Sequence, residues 1–273
     1  MTYRELCEAL RASGVESPEF EAVCLLEDLC GANRQEVFGT PECEYDSDTL
    51  QDALRRRLAH EPLQYILGEW QFYRQTYLVS PDCLIPRADT EGLVEQAIGM
   101  LPVGASFADL CTGSGCIAIS VLAERRDTHA LAVDLSDGAL ALARKNAERN
   151  GVAERLAFRK ADLLTMQPQS LGHFDAILSN PPYIRSDVLP TLSEEVRHEP
   201  QMALDGGKDG LVFYRALLHL AQECLTEGGF CLFEIGYDQG DDIRALAAGA
   251  GFQCSVRRDL GGRDRVAILT RGA

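Results

Sequence analysis

A doubly wound α/β sheet preceded by a small helical domain is the architecture this sequence predicts, and three observations predict it. From about residue 88 short apolar runs alternate with helical patterns. Before about residue 70 the apolar residues keep helical spacing only, and an aromatic and β-branched stretch separates the two regimes. The 273 residues suffice for a core domain with a smaller companion.

Residues 1–70 read as a helical domain: Leu6 and Leu10 stand at i, i+4, and Ser17-Pro18 supplies an N-cap and a first-turn proline before Phe20, Val23, Cys24 and Leu26. Asp46-Ser47-Asp48 opens a helix carrying Leu50, Leu54 and Leu58, with carboxylates at its positive end. Arg55-Arg56-Arg57 lies off that apolar stripe, as a solvated face or a binding patch. Residues 71–87 form the linker: "WQFYRQTYLVSPDCLIPR", Trp70 to Arg87, is interrupted by Ser80-Pro81-Asp82 and reads as a β-hairpin. Residues 88–273 hold the sheet. Strands are expected at Ser106–Leu110, Ala130–Leu135, "RLAFRKADL", "FDAILSN", "GFCLFEI", "FQCSVRRDL" and "RVAILTR", with helices from Gly115, around Leu140, over Leu211 to Leu225 and near Ile243. A ligand of such a sheet sits at the carboxyl ends of the first strands, where the strand order reverses.

Composition narrows the function. A net charge of -16 repels phosphate backbones, so free nucleic acid is not an expected partner. No apolar run approaches the roughly 18 residues of a membrane span, and "MTYRELCEAL" lacks the order of a signal peptide, so a soluble cytoplasmic protein is expected. The ten cysteines form no C-x-x-C pair and read as reduced core residues, with no metal site. The five histidines are scattered and read as structural or surface groups.

Three successive strand ends carry ligand-type residues. The first is Cys111-Thr112-Gly113-Ser114-Gly115, whose glycines permit positive φ and a close approach to the backbone. With Ala118 it also satisfies G-x-G-x-x-A, a dinucleotide pattern that is weak alone. Asp134, after the second strand, can accept from both ribose hydroxyls, in nicotinamide and S-adenosylmethionine enzymes alike. After the third, Asp162 can accept from an adenine amine with Leu163 against the ring, although either acid taken singly reads first as a helix N-cap or loop residue. The fourth strand ends in Asn180-Pro181-Pro182-Tyr183, for which a nicotinamide enzyme has no use. The prolines hold Asn180 and Pro181 out of helix, so the loop is stiff. It can offer the Asn180 side-chain oxygen and the Pro181 carbonyl as acceptors for the two hydrogens of a planar NH2 group, with Tyr183 stacked on its face. Such a grip favours a tetrahedral nitrogen in the transition state and needs no strong base.

These residues resemble the N5-glutamine methyltransferases that modify peptide chain release factors. The likeness runs through "EPLQYILGEWQFY", "LIPRADTE", "DLCTGSGCIAIS", "AVDLSDGALALARKNAERN", "SNPPYI" and "EPQMALDGGKDGL", in that order over nearly the whole chain. It implies a class I, Rossmann-like methyltransferase sheet, a helical domain that helps hold the protein substrate, and S-adenosylmethionine turned over to S-adenosylhomocysteine. It also implies a release factor as partner, methylated on the glutamine of a Gly-Gly-Gln tripeptide. Carried over by position, Cys111 to Gly115 cradle the methionine part, Asp134 holds the ribose, Leu163 lies beside the adenine, and Asn180 borders the cofactor. Asn180, Pro181, Pro182 and Tyr183 hold the target amide, with Asn180, Pro181 and Tyr183 as the catalytic set. Two positions depart from the family: it commonly has proline at Ala88 and glycine at Cys111. Ribosomal-protein glutamine methyltransferases and adenine or guanine amino-methyltransferases of DNA or RNA share much of this pattern, and an inactive cofactor-binding scaffold is the rival from another class.

Overall fold

Short polar residues start the first four helices. The computed structural model describes residues 1–271. Helices α1 (Tyr3–Ala12), α2 (Pro18–Cys30), α3 (Arg34–Gly39), α4 (Asp48–Leu58) and α5 (Leu63–Leu67) come first. Thr2 and Glu5 form a capping box at α1, and Asn33 and Glu36 form one at α3. Ser17 occupies the N-cap of α2 without a side-chain bond, and the Ser47 hydroxyl accepts from the Leu50 N–H at 3.3 Å. Leu6, Leu10, Leu25, Leu26 and Leu50 are fully buried. These helices form one unit, Met1–Glu69, joined by Ser193–His198.

Within that unit Arg57 contradicts the expectation for the arginine run. It is 3 % exposed, with Nε 2.6 Å from Glu21 and Nη2 3.0 Å from Glu195. Arg56 pairs with Glu61, and Arg55 stays outward beside Asp52. A guanidinium is buried when its fork finds carboxylates. Here they lie 36 and 138 residues away in sequence, beyond the reach of a helical pattern.

The second unit comprises Trp70–Leu192 and the chain from Glu199 onward. Strands β1 (Glu69–Phe72) and β2 (Gln75–Leu78) pair as a hairpin. Its turn is Tyr73-Arg74, with Tyr73 at φ 55°, and not Ser80-Pro81-Asp82. Cys83–Arg87 forms no strand; the Ile85 N–H is bound at 3.0 Å by the Glu199 carboxylate instead of a ladder partner. Asn146 locks β2 down, taking the Leu78 N–H at 2.7 Å and donating to the Leu78 carbonyl at 3.1 Å.

A 3-10 turn (Ala88–Thr90) and α6 (Glu91–Met100) lead into β3 (Ser106–Leu110), α7 (Cys116–Glu124), β4 (His129–Asp134), α8 (Asp137–Arg149), β5 (Leu156–Lys160) and α9 (Pro168–Leu171). Then come β6 (Phe174–Ser179), α10 (Val212–Cys224), β7 (Leu225–Glu234), α11 (Gly240–Gly249), β8 (Phe252–Arg258) and β9 (Asp264–Arg271). The seven strands run in the order β5-β4-β3-β6-β7-β9-β8, parallel through β7, with β9 antiparallel to both its neighbours. Strand periodicity sorts the core onto two faces. Phe107, Ala130, Ala132, Ala176 and Leu178 join α6 and α7, whereas Ala108, Leu110, Leu131, Val133 and Ile177 join α10 and α11.

Candidate active site

The chain leaves β3 for β4 and β5 on one side, then crosses back to β6 on the other. This topological switch opens a crevice at the strands' carboxyl ends. There a cavity of about 550 Å³ is lined by residues 111–114, 134–136 and 161–164, by Asn180 and Pro182, and by residues 82–87. The volume suits a nucleoside-sized ligand.

After β3 the backbone turns through left-handed residues: Cys111 at φ 63°, Gly113 at φ 55° and Gly115 at φ 81°. At Gly115 even a Cβ would lie 2.8 Å from Ile119 Cδ1 and 3.2 Å from Ala143 Cβ. Cys111 holds its conformation with a side chain, which borders the cavity and also packs on the core below. Burial pushes its thiol far above the ordinary range, so it is neutral. Under the turn Asp109 is fully buried; Oδ2 accepts from Thr112 Oγ1 at 2.6 Å and the Ala118 N–H at 3.2 Å, and Oδ1 has no partner among the described residues. Burial raises its pKa to about 7.

Asp134 ends β4 and ties two turns together, taking the Gly113 N–H at 2.9 Å on Oδ2 and the Ser136 N–H at 2.9 Å on Oδ1. Burial raises its pKa. Each oxygen keeps a second lone pair for a ligand hydroxyl. Asp162 uses Oδ1 to cap its own turn at the Leu164 N–H, 2.9 Å away. Leu163 is buried in the wall, and Leu135 and Leu164, both half exposed, flank the opening. Thus Cys111 to Ser114, Asp134, Asp162, Leu163 and Asn180 meet at one cavity, as the strand-end pattern predicts; Gly115 stands just behind as the N-cap of α7.

In the loop after β6, Asn180 and Pro182 form part of the wall. Pro181 is buried, and Tyr183 turns its hydroxyl to Glu234 Oε1 at 3.4 Å; neither lines the cavity. Asn180 Nδ2 donates to Thr90 Oγ1 at 3.3 Å, and Thr90 Oγ1 lies 2.5 Å from Glu234 Oε2. Among the described residues no hydrogen bond ends on Asn180 Oδ1 or the Pro181 carbonyl. Glu234 is 2 % exposed, and burial pushes its pKa up to about 7 against the opposing pull of Thr90 and Arg265. The loop is also held from behind. The Gly206 N–H donates to the Ile184 carbonyl at 2.8 Å, the Ile184 N–H to the Leu204 carbonyl at 3.0 Å, and Gln239 Nε2 to the Tyr183 carbonyl at 3.2 Å. Sequence reasoning assigned no role to Thr90, Gly206 or Glu234; their only signals were the "LIPRADTE" and "EPQMALDGGKDGL" likenesses and an acid ending an apolar strand.

A mostly parallel seven-stranded sheet with a reversed last strand, a glycine turn after β3 and an acid ending β4 defines a class I methyltransferase. A methyltransferase from Pyrococcus furiosus has this fold, with a TM-score of 0.53 and 17% identity over 82% of this chain and 98% of that one. Residues 2–68 match the PrmC N-terminal domain and residues 93–219 the methyltransferase small domain. Two proteins named release factor glutamine methyltransferase are close in sequence. The one from Nitratidesulfovibrio vulgaris is 40% identical over 98% of this chain and 93% of its own length. That from Caulobacter vibrioides is 38% identical over 96% and 92%. The chain belongs to the release factor glutamine methyltransferase family.

Proposed function

We propose that this protein transfers the methyl group of S-adenosylmethionine to the side-chain amide nitrogen of the Gly-Gly-Gln glutamine in a peptide chain release factor. The observation that carries the reading is the Asn180 carboxamide, which enters the same cavity as the glycine turn and Asp134 with its oxygen unpaired among the described residues. The cofactor suits the residues present: a left-handed turn without side chains at Gly113 and Gly115, a carboxylate at Asp134 with lone pairs to spare, and apolar walls at Leu163 and Leu135. Residues 111–115 would hold its methionine part, Asp134 the ribose, and Asp162 and Leu163 the adenine. When bound, S-adenosylmethionine supplies an electrophilic methyl group on a sulfonium.

The chain's own work is to hold the amide. Asn180 Oδ1 and the Pro181 carbonyl take the two amide hydrogens, Pro182 stiffens the loop, and the half-buried Tyr183 ring covers the flat face. Held this way the nitrogen lone pair is turned out of conjugation toward the methyl donor, and proximity supplies much of the rate. The proton leaves after transfer, so no general base is assigned. The helical unit is assigned to recognition of the release factor, and the acidic chain to a cytoplasmic protein substrate rather than free nucleic acid.

Incubation of a purified release factor with the protein and S-adenosylmethionine, followed by peptide mass spectrometry, tests this: one added methyl on the Gly-Gly-Gln glutamine is expected. Labelling of an oligonucleotide or a ribosomal protein, with none on the release factor, would overturn it.

A further inference from the structure

An asparagine amide can reverse its oxygen and nitrogen with almost no change in shape, yet only one orientation presents an acceptor to a target NH2 group. Something must choose between them. Asn180 and Glu234 follow directly on Ser179 and Phe233, which are partners in the β6–β7 ladder, so both stand at the carboxyl edge of neighbouring parallel strands. Thr90, 1 % exposed, lies against both, 3.3 Å from Asn180 Nδ2 and 2.5 Å from Glu234 Oε2. An ionised carboxylate can only accept, so it takes the single hydroxyl proton of Thr90. The Thr90 oxygen is then left to accept, and it can bind only the NH2 end of Asn180. On the far oxygen of Glu234 the Tyr183 hydroxyl donates at 3.4 Å, which fixes the carboxylate from the same loop.

We propose that Thr90 and Glu234 are positioning residues whose directional hydrogen-bond chain turns the oxygen of Asn180 into the cavity. The inference rests on the reading that this oxygen accepts from the target amide. It makes a specific demand on Glu234: an isosteric neutral amide no longer fixes the direction of the chain. In Glu234→Gln the Tyr183 hydroxyl can donate to the glutamine oxygen or accept from its NH2, and in the first arrangement the glutamine NH2 faces Thr90. Thr90 then donates to Asn180, and the chain runs backwards.

The test is single-turnover methylation of a release factor at pH 8.5, where Glu234, with its pKa near 7, is ionised. Calorimetric titration of S-adenosylmethionine and thermal melting accompany each variant. Thr90→Val keeps the volume and removes the hydroxyl; the maximal rate should fall about 10-fold, less than the roughly 100- to 1000-fold for losing a group that itself contacts the transition state, because Thr90 acts through Asn180, while KM for the release factor and cofactor affinity stay within about threefold. Thr90→Ser should restore the rate. Glu234→Gln should slow transfer no further than Thr90→Val, and the double variant should be no slower than Thr90→Val alone, because Glu234 acts through Thr90. A wild-type rate in Thr90→Val would overturn the inference, as would additive losses in the double variant. Asn180→Ala, run alongside, separates the two levels. If Asn180→Ala turns over normally the underlying reading fails; if it is slow while Thr90→Val is normal, only the positioning chain fails.

Discussion

Replacing Gly206 by alanine should slow methyl transfer without replacing any residue assigned to substrate or cofactor. The φ of Gly206 is not in the left-handed region, so alanine meets no backbone objection; the obstacle is space. Its Cβ would lie 2.7 Å from Tyr183 Cα, 2.8 Å from Tyr183 C and 2.9 Å from the Pro182 carbonyl oxygen. All three are backbone atoms, and no side chain can swing aside. Reaching an ordinary 3.4 Å contact needs a separation of about 0.7 Å between the two segments. The hydrogen bonds of Gly206 and Ile184 tie those segments together, so the Asn180–Tyr183 loop must absorb the shift. Overpacking of this kind costs roughly 1 to 3 kcal/mol of stability. A displacement approaching 1 Å at a reacting group costs on the order of 10 to 100-fold in rate. Single-turnover methylation, cofactor titration and urea melts should therefore show a large rate loss, modest destabilisation and a cofactor affinity within about threefold of wild type, since β3 and β4 are untouched. Gly99→Ala, in α6 with nothing within 4 Å of its Cβ, is the control. Wild-type turnover and stability in Gly206→Ala would refute the reasoning.

Four further outcomes are expected. Asp134→Ala should weaken S-adenosylmethionine by roughly 1 to 3 kcal/mol by calorimetry, since it leaves ligand hydroxyls and the Gly113 N–H without an acceptor. Ala88→Pro should raise stability by about 0.4 to 1 kcal/mol in urea melts: Ala88 opens a helical turn, and Arg87 at φ -106°, ψ 140° already has the extended conformation required before proline. Cys111→Gly should leave activity intact and change stability by no more than about 1 kcal/mol, because relief of the left-handed strain offsets the lost thiol packing; a tenfold rate loss would give the thiol a role of its own. Asp109, with its pKa raised from 3.8 to about 7, binds a proton in the fold that the unfolded chain releases, so stability falls as pH rises between those values. Asp109→Asn should flatten that slope, checked by urea melts at pH 5 and pH 7.5.

Local pattern made much of this protein legible. The alternation of apolar strands and helical segments specifies the sheet because side-chain period and turn residues are short-range properties. Cys111 to Gly115, Asp134, Asp162 and Asn180 could be read as one site because each ends a strand, and parallel strands bring their carboxyl ends to one edge whatever lies between them. The misplaced hairpin turn came from giving Ser80-Pro81-Asp82 its usual weight, whereas the chain turns at Tyr73-Arg74 and uses Cys83–Arg87 as cavity wall, held by Glu199. Other features join residues that are far apart in sequence and have no periodic relation: Arg57 with Glu21 and Glu195, Gly206 against Tyr183, and Thr90 between Asn180 and Glu234. Local spacing determines which strand end a residue occupies; only the packed fold decides which way its hydrogen bonds run, since that depends on which donors and acceptors distant segments bring to it.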